Sequence, residues 1–490
     1  MSQQRSPPPI MTDISSIIGN TPIVRLNFNE LDDKPIELLA KLEFLNPVSG
    51  SIKDRVARRI LNDLEKSNKL HADATLIIPT TGNLGIAIAL LSKKKGYKTL
   101  AVIPERTSSD RIHLLKTLGV EIIRTPNEAH RSASESNYAL ALKLASQMVN
   151  SIVIDETTSL DNVQVHYDET AKEILTQVRG KLDLLVVGVE SGGTVTGLAK
   201  NLKSIIPGLK VVAVEPQHSS IEEGKPATPL SLQHWRVEDI GNNFTPSILD
   251  TTLIDTWIKV TDKDSFATAR KLMNEGLMAG PSSGSVVSAA LQYVNTYLKS
   301  SNMVRILTIL NDSARNYNST LLSDDWLLDN DLLDEEAIHK LEYQRIKRYR
   351  AAGVEDLQLP AAVTVTPTAS ITHALELMLE REYSQLPVID DHRKLLGYVS
   401  QASLQTHLEA GDAHPQDQVA KWMFSFVGSG RQGKRAKYQI ITPDTPLSEL
   451  AKFLDEHSFA VVTDSERKWC LGVATKYDLI SFLNRRNAEF

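Results

Sequence analysis

Short β-branched runs alternate with longer amphipathic stretches between residues 14 and 310 of the chain, as in TLIIPT, LDLLVVGV and VRILTIL. Runs that are apolar at successive positions are typical of strands buried on both faces, as in parallel sheets. The stretches between them, such as residues 55–67 and 84–96, are long enough for crossover helices. The pattern predicts a doubly wound α/β core with parallel sheets, and its length favours two lobes.

An internal repeat follows this core. The Thr-Pro pairs that begin at Thr366 and Thr442 lie 76 residues apart (442 − 366), and Gly397 and Gly472 lie 75 apart (472 − 397). One β-α-β-β-α unit buries too little core by itself, so two copies are expected to pack together. The predicted organisation is a flexible N-terminus at 1–12, an α/β core at 13–323, a charged helical linker at 324–353, and tandem repeats at 354–490, divided at about 354–410 and 417–490.

Charge and cysteine content narrow the class of protein. A formal net charge of −6 gives no electrostatic basis for binding nucleic acid or an anionic membrane. The basic run at residues 431–437 is typical of a solvated loop. Cys470 is the only cysteine, which excludes a disulfide framework and a thiolate-rich metal site and favours a reducing compartment. No signal-like segment and no apolar run of about 20 residues is visible, so the sequence predicts a cytoplasmic protein.

Four segments carry residues suited to chemistry. The first is SGSIKDR, in which Lys53 follows a glycine turn at the expected start of a helix. Lost solvation and the positive helix end are expected to lower the pKa of such a lysine, which then can form a Schiff base. The alternative is a capping turn with an exposed lysine.

The second segment, TTGNLG, lies between a predicted strand and a predicted helix. Thr80, Thr81 and Gly82 offer hydroxyl and backbone N–H groups for a carboxylate or phosphate, and Asn83 can donate to a ring oxygen. The alternative is an ordinary N-cap turn.

The third and fourth segments are ESGGTVTG, at residues 190–197, and PSSGS, at residues 281–285. Glycines, hydroxyls and a following helix suit a phosphate, although glycine-rich loops are common. The hydroxyl of Ser282 suits a pyridine nitrogen, and a serine-rich helix cap is the alternative.

Taken together and in this order, the four segments resemble those of fold-type II pyridoxal-phosphate enzymes, and specifically the cystathionine β-synthase family. The resemblance covers nearly the whole chain and includes IIGNTPIVRL, KLEFLNPVSGSIKDR and NDSARNYNSTLLSDDW. The C-terminal repeats resemble the CBS regulatory repeats of that family, which plain cysteine synthases lack. The resemblance implies a homodimer or higher homo-oligomer. The haem-binding segment of some relatives has no counterpart here, so no haem is expected.

The resemblance also implies roles for individual residues. Lys53 would hold pyridoxal phosphate as a Schiff base and later remove the α-proton of the substrate, while Asn83 would bind the ring oxygen and Ser282 the ring nitrogen. The phosphate would be bound by Ser191, Gly192, Gly193 and Thr194, and the substrate carboxylate by Thr80, Thr81 and Gly82. The implied reaction condenses L-serine with L-homocysteine to cystathionine through an aminoacrylate.

Several positions depart from the family pattern. A leucine, Leu84, stands where a carboxylate-binding hydroxyl is expected, and Glu190 opens the phosphate loop in place of glycine, where it would repel a phosphate unless it points away. Glu156-Thr157 replaces Gln-Tyr, and Asn242 replaces a tyrosine of the substrate cleft. Two other functions therefore stay open: cysteine synthase-like β-replacement with sulfide, and a nucleotide-sensing pseudoenzyme.

The repeats differ in their predicted nucleoside site. The second repeat keeps a hydroxyl and a carboxylate, Thr475 and Asp478, that suit the ribose of S-adenosylmethionine or an adenine nucleotide. The first repeat has Ser403 in place of the aspartate. One effector site is therefore expected, and the alternative is that the repeats serve only for dimerisation.

Overall fold

The structure is a computed structural model. It describes residues 10–80, 82–105, 107–126, 131, 133–222, 235–298, 302–340, 349, 351–381, 383–426, 441–466 and 469–487. The chain divides into two compact units, one ending at Asp334 and the other beginning at Glu335. Within the described ranges, no helix has both the length and the apolar character needed to cross a membrane.

The strands of the first unit form two sheets. In chain order they are β1 (Ile23–Arg25), β2 (Ile36–Leu42), β3 (Thr75–Pro79), β4 (Lys98–Pro104), β5 (Glu121–Thr125), β6 (Ser151–Val153), β7 (Leu184–Gly188), β8 (Lys210–Pro216), β9 (Thr256–Val260) and β10 (Val304–Leu310). One sheet has the order β1-β2-β10-β7-β8-β9 and the other the order β5-β4-β3-β6. The pairs in both sheets are parallel except β1 with β2. The predicted α/β class with parallel sheets is thus confirmed.

Helices connect these strands. They are α1 (Lys53–Lys66), α2 (Asn83–Lys93), α3 (Ser109–Thr117), α4 (Asn137–Gln147), α5 (Leu160–Val165), α6 (Ala171–Val178), α7 (Gly193–Ile205), α8 (Asp262–Asn274), α9 (Pro281–Tyr297) and α10 (Asp324–Asp329). Apolar side chains of β7, β8 and β10 pack against α6 and α7 in one core cluster, and those of β3 pack against α1 and α2 in another. Each sheet therefore has its own core, as two lobes require.

The second unit contains the two repeats. Its elements are α11 (Ile371–Arg381), β11 (Gln385–Ile389), β12 (Leu395–Ser400), α12 (Gln401–Glu409), β13 (Phe424–Ser425), α13 (Leu447–Glu456), β14 (Phe459–Thr463), β15 (Cys470–Thr475) and α14 (Lys476–Asn487). Each repeat has a helix, an antiparallel hairpin and a second helix, with a separate apolar cluster. A parallel bridge precedes the first helix of each, Val365 with Val388 and Ile441 with Val462. The Thr-Pro pairs directly follow these bridging residues. The basic run at 431–437 lies outside the described residues.

The stretch that was predicted to be a linker does not behave as one element. Its first helix, α10, belongs to the first unit, and the boundary between the units falls at residue 334. Residues 341–348 of the stretch lie outside the described residues.

Candidate active site

The predicted cofactor residues occupy the first turns of helices or the loops that lead into them. Lys53 begins α1, Asn83 begins α2 after β3, and Gly193 begins α7 after β7. Parallel strands place such loops along one edge of a sheet. Lys53, Asn83, Ser191, Gly192 and Thr194 line one cavity of about 20 Å³, which we call the Lys53 cleft.

Two glutamates bind the amine of Lys53. Its Nζ donates to Glu156 Oε2 at 2.5 Å and to Glu190 Oε2 at 2.7 Å. Burial by itself lowers the pKa of Lys53, but the charges of Glu156, Glu190 and Asp239 outweigh burial and hold the pKa above its ordinary value. The prediction of a lowered pKa was therefore wrong for the amine in this state, because it considered only desolvation and the helix end.

One ammonium group is shared by two carboxylates. Burial, with the nearby charge of Glu190, raises the pKa of Glu156 from 4.5 to about 7, although Lys53 opposes the shift. Glu190 was expected to be tolerable beside a phosphate only if it pointed away, and it points to Lys53. Two further departures make other contacts: the hydroxyl of Thr157 bonds Arg131 and Asp155, and the side chain of Asn242 accepts from the N–H of Asn243.

A second group of buried charges adjoins Asn83. Asn83 Nδ2 donates to Asp239 Oδ2 at 2.5 Å and to Asp312 Oδ2 at 2.8 Å. Arg111 forms ion pairs with Asp239 and with Glu238, and its side chain is almost fully buried. Burial, reinforced by the charge of Asp239, raises the pKa of Asp312 to about 8.

Arg111, Asp239 and Asp312 are absent from the site residues that the sequence predicted. Arg111 Nη2 and Asn83 Nδ2 contact the same two aspartates, and Tyr317 Oη donates to Asp312 at 2.6 Å. Each of these residues reads as an ordinary polar residue in its own segment. Only Asp239 lies near a sequence feature that could have pointed to the site, because it is two residues before the glycine of the altered Gly241-Asn242-Asn243-Phe244 segment.

The glycine-rich loop is closely packed. Gly192 has φ +83°, and a Cβ there would lie 2.7 Å from Leu249 Cβ, so both the conformation and the space require glycine. Asn162 Nδ2 donates to Ser191 Oγ at 2.9 Å, and Thr194 Oγ1 lies 3.2 Å from His166 Nε2. Burial lowers the pKa of His166 to about 3, so the ring is neutral. The loop therefore has a fixed shape before any ligand enters.

Ser282 and the substrate loop complete the predicted set. Ser282 Oγ is fully buried and forms no hydrogen bond with the described residues, so it has capacity for a ligand atom. Thr80 Oγ1 accepts from the N–H of Gly82 at 3.1 Å. A Cβ at Gly82 would lie 2.3 Å from the Arg111 side chain. Thr81 lies outside the described residues.

Leu84 does not line the cleft. Its side chain is buried in the apolar cluster that contains Val56 and Ile60. The residue thus contributes to the core of its lobe.

The polar groups of the cleft are suitable for binding pyridoxal phosphate, but the free volume of the cleft is too small for it. An amine, an amide at a helix start and a glycine loop at the N-terminus of α7 are suitable partners for an aldehyde, a ring oxygen and a phosphate. The unbonded hydroxyl of Ser282 suits a ring nitrogen, but Ser282 is not among the residues that line this cavity. A single water needs about 10–15 Å³ of free volume. The cavity of about 20 Å³ therefore requires Lys53 and the glutamates to move before a ring can enter.

The second repeat contains the predicted nucleoside residues at a helix start. Asp478, in the first turn of α14, accepts from the N–H and the hydroxyl of Thr475, each at 2.7 Å. In the first repeat, Ser400 Oγ accepts from the N–H of Ser403 at 3.2 Å. The carboxylate therefore caps its own helix, while the first repeat offers only hydroxyls.

Comparisons with known proteins agree with this arrangement. Residues 14–309 match the family described as pyridoxal-phosphate dependent enzyme, and residues 354–409 and 435–485 match the CBS domain. The class is therefore a pyridoxal-phosphate-dependent lyase with CBS repeats.

Relatives of similar length narrow the class. A cystathionine beta-synthase of Dictyostelium discoideum is 40% identical over 97% of this chain and 92% of its own length. A cystathionine beta-synthase of Saccharomyces cerevisiae is 33% identical over 96% of this chain and 97% of its own length. The chain belongs to the cystathionine β-synthase family.

Solved structures match about two thirds of the chain. The O-acetylserine dependent cystathionine beta-synthase of Helicobacter pylori is 33% identical, with a TM-score of 0.56, over 64% of this chain and 98% of that one. An O-ureido-L-serine synthase is 30% identical, with a TM-score of 0.58, over 66% of this chain and 100% of that one.

Proposed function

We propose that the chain condenses L-serine with L-homocysteine to cystathionine in a pyridoxal-phosphate-dependent β-replacement. The observation that carries the proposal is the similarity to cystathionine β-synthases over nearly the whole chain, repeats included. The Lys53 cleft supports it, because it gathers an amine, an amide and a phosphate-type loop. We assign the reaction to residues 13–323, regulation to residues 354–490 and a connecting role to residues 324–353.

In this reaction the residues of the chain would have the following roles. Lys53 would bond the cofactor and, once displaced by substrate, take the α-proton with its freed amine. The glycine loop and the N-terminus of α7 would hold the phosphate. Ser282, a neutral donor, would bind the ring nitrogen without protonating it, and Asn83 would bind the ring oxygen. Bound pyridoxal phosphate supplies the electron sink that makes the α-proton acidic.

The substrate would be bound by the loop before α2. Thr80, Thr81 and Gly82 would receive its carboxylate through hydroxyl and N–H groups at the positive end of that helix. Burial of α2 would exclude water from this end of the cleft, since its first residues are nearly inaccessible.

The experiment is a spectrum followed by an assay. We expect the protein incubated with pyridoxal phosphate to become yellow, and borohydride to bleach the colour and fix the cofactor to Lys53, as seen by peptide mass. Turnover of serine with homocysteine should then yield cystathionine. A protein that stays colourless and unlabelled would contradict the proposal. The expected absence of haem is tested in the same spectrum, where a Soret band would refute it.

Cysteine synthase-like chemistry is a second candidate. It is favoured by the similarity to an O-ureido-L-serine synthase and to an O-acetylserine dependent cystathionine beta-synthase. Assays that pair serine or O-acetylserine with homocysteine or sulfide separate the two, because homocysteine gives cystathionine and sulfide gives cysteine, with water released from serine and acetate released from O-acetylserine.

A nucleotide-sensing pseudoenzyme is the third candidate. It is favoured by the two carboxylates on Lys53 and by the small volume of the cleft. A colourless protein that nevertheless binds an adenosyl ligand would support it over both β-replacement reactions.

The repeats are proposed to bind S-adenosylmethionine or an adenine nucleotide at Thr475 and Asp478. CBS domains and the helix-start carboxylate support this assignment. We expect Asp478→Ala to weaken binding in calorimetry, with Ser403→Ala as the matched control in the first repeat. Equal affinity of both variants would place the site elsewhere. We further propose a cytoplasmic homo-oligomer, which cell fractionation and light scattering test.

A further inference from the structure

The amine of Lys53 forms ion pairs with two carboxylates of the cleft. Glu156 follows β6, and Glu190 follows β7, so the two carboxylates approach Lys53 from both sheets. Their Oε2 atoms lie 2.5 Å and 2.7 Å from Nζ. Asp239 acts on the same amine through its charge. Three different parts of the chain thus contribute negative charge to one lysine.

The charges around the cleft do not balance. The cations are Lys53 and Arg111, and the acidic groups that face them are Glu156, Glu190, Glu238, Asp239 and Asp312. The neighbouring His166 is buried and neutral. Burial raises the pKa of Asp312 to about 8, which favours its protonated form at neutral pH, but the remaining carboxylates still outnumber the two cations. A phosphate dianion that enters this cleft therefore meets excess negative charge, and the amine that must react with the aldehyde of the cofactor is an ammonium ion.

We propose that Glu156 and Glu190 hold Lys53 as an ammonium ion in a cleft of about 20 Å³ and thereby set the affinity of the chain for pyridoxal phosphate. The inference rests on the proposed function, because it concerns uptake of the same cofactor. Uptake then requires that both carboxylates release Lys53 and that the ammonium loses a proton to solvent or to Glu156. The neutral amine adds to the aldehyde, a C=N bond replaces the C=O bond, and the oxygen leaves as water.

The geometry distinguishes this restraint from an ordinary buried ion pair. A lone carboxylate would balance the charge of Lys53 and would lose this effect on protonation, whereas with two carboxylates one still pairs with the ammonium ion when the other is protonated. The resemblance to the family implies glutamine and glycine at these two positions, where this chain has Glu156 and Glu190. The two residues therefore add a restraint that the reaction does not need.

The test compares cofactor uptake in wild type and in Glu156→Gln/Glu190→Gln, which removes both charges at nearly constant volume. Glu169→Gln is the matched control, because Glu169 pairs with Arg58 and has no contact with Lys53. Pyridoxal phosphate is titrated into protein freed of cofactor, followed by imine absorbance and by borohydride fixation at Lys53.

We expect the double variant to reach half-saturation at a pyridoxal phosphate concentration at least ten times lower than wild type, with the single variants between them and the control unchanged. The pH at which uptake is half-maximal should also move to lower values in the double variant, which a merely structural change would not produce. Because a raised amine pKa opposes uptake, wild type should load more tightly as pH rises.

The outcomes separate the inference from the proposed function. Equal half-saturation in wild type and the double variant, with Lys53 fixed in both, overturns the inference and leaves the proposed function intact. Absence of fixation in both proteins overturns the inference and the proposed function together. Fixation in the double variant at lower concentration than in wild type supports both.

Discussion

Two buried charge clusters lie side by side at the start of α1, and they differ in the ratio of cations to carboxylates. The first, the Arg55 cluster, consists of Lys41, Glu43, Arg55 and Glu173, with two cations and two carboxylates. The second, the Lys53 cluster, consists of Lys53, Glu156 and Glu190, with one cation and two carboxylates. Only one residue separates Lys53 from Arg55 in the sequence.

The difference in charge balance is reflected in the pKa values of the glutamates. Burial raises the pKa of Glu43, but Arg55 outweighs burial and holds that pKa at about 2. In the Lys53 cluster, burial prevails, and the pKa of Glu156 rises to about 7. A balanced, fully hydrogen-bonded cluster can serve structure, whereas an unbalanced one stores unfavourable charge, which is typical of functional sites.

The largest expected effect comes from removing the amine of the unbalanced cluster. Lys53→Ala should reduce turnover by at least about 10²–10⁴, because the group that transfers the α-proton is lost. The measurement is kcat with serine and homocysteine, with borohydride labelling as the second readout. Circular dichroism checks that the fold is retained. Activity close to wild type would show that Lys53 is not the base.

Removing the guanidinium of the balanced cluster should affect stability instead. Arg55→Ala leaves Glu43 and Glu173 short of a cation and should lower the free energy of unfolding by about 3–5 kcal/mol. Urea unfolding measures the change. Lys95→Ala is the control, because its pair with Glu65 is partly exposed and should contribute at most about 1 kcal/mol. Similar losses in both variants would contradict the contrast between the clusters.

A third variant tests where the polar cleft ends and the apolar core begins. Leu84 follows Asn83 but packs with Val56 and Ile60. Leu84→Thr should therefore lower the free energy of unfolding by about 2–4 kcal/mol, through lost packing and a buried hydroxyl. Serine affinity should not improve. Tighter serine binding at unchanged stability would mean that this side chain faces the substrate.

The smallest expected effect is on the pH dependence of the free energy of unfolding. The raised pKa of Glu156 means that the folded state binds the proton more tightly than the unfolded state does, so its contribution to stability is lost as pH rises from 4.5 through about 7. Glu156→Gln removes this loss. Relative to wild type, the variant should gain on the order of 1–3 kcal/mol between pH 5 and pH 8.

The contribution of Glu43 to the free energy of unfolding should change with pH in the opposite direction. Its lowered pKa contributes stability above pH 4.5 that is lost as pH falls through about 2. The difference in denaturant unfolding between Glu156→Gln and wild type at pH 3, 5 and 8 isolates the contribution of Glu156, because the contribution of Glu43 is present in both proteins. A gain that is the same at every pH would contradict the assignment to Glu156.

Local patterns of the sequence determined much of this protein. Apolar runs predicted the parallel sheets, the spacing of 76 residues predicted the repeats, and four helix-start segments predicted Lys53, Asn83, Ser282 and the glycine loop as cofactor-binding residues. Each of these inferences depends on residues that are close in the chain, because strand burial, turn conformation and helix capping are local properties.

Only the tertiary structure decided which charges meet. Lys53 binds Glu156, 103 residues away, and Glu190, 137 residues away. The direction of the pKa shift of Lys53 was predicted wrongly. Desolvation and the helix end can be inferred from neighbouring residues in the sequence, whereas the carboxylates that oppose them come from loops of both sheets. Similarly, Leu84 reads as a missing hydroxyl in sequence but lies in the core. Electrostatic energy depends on distance in space, and distance in space is fixed by how the lobes fold rather than by order along the chain.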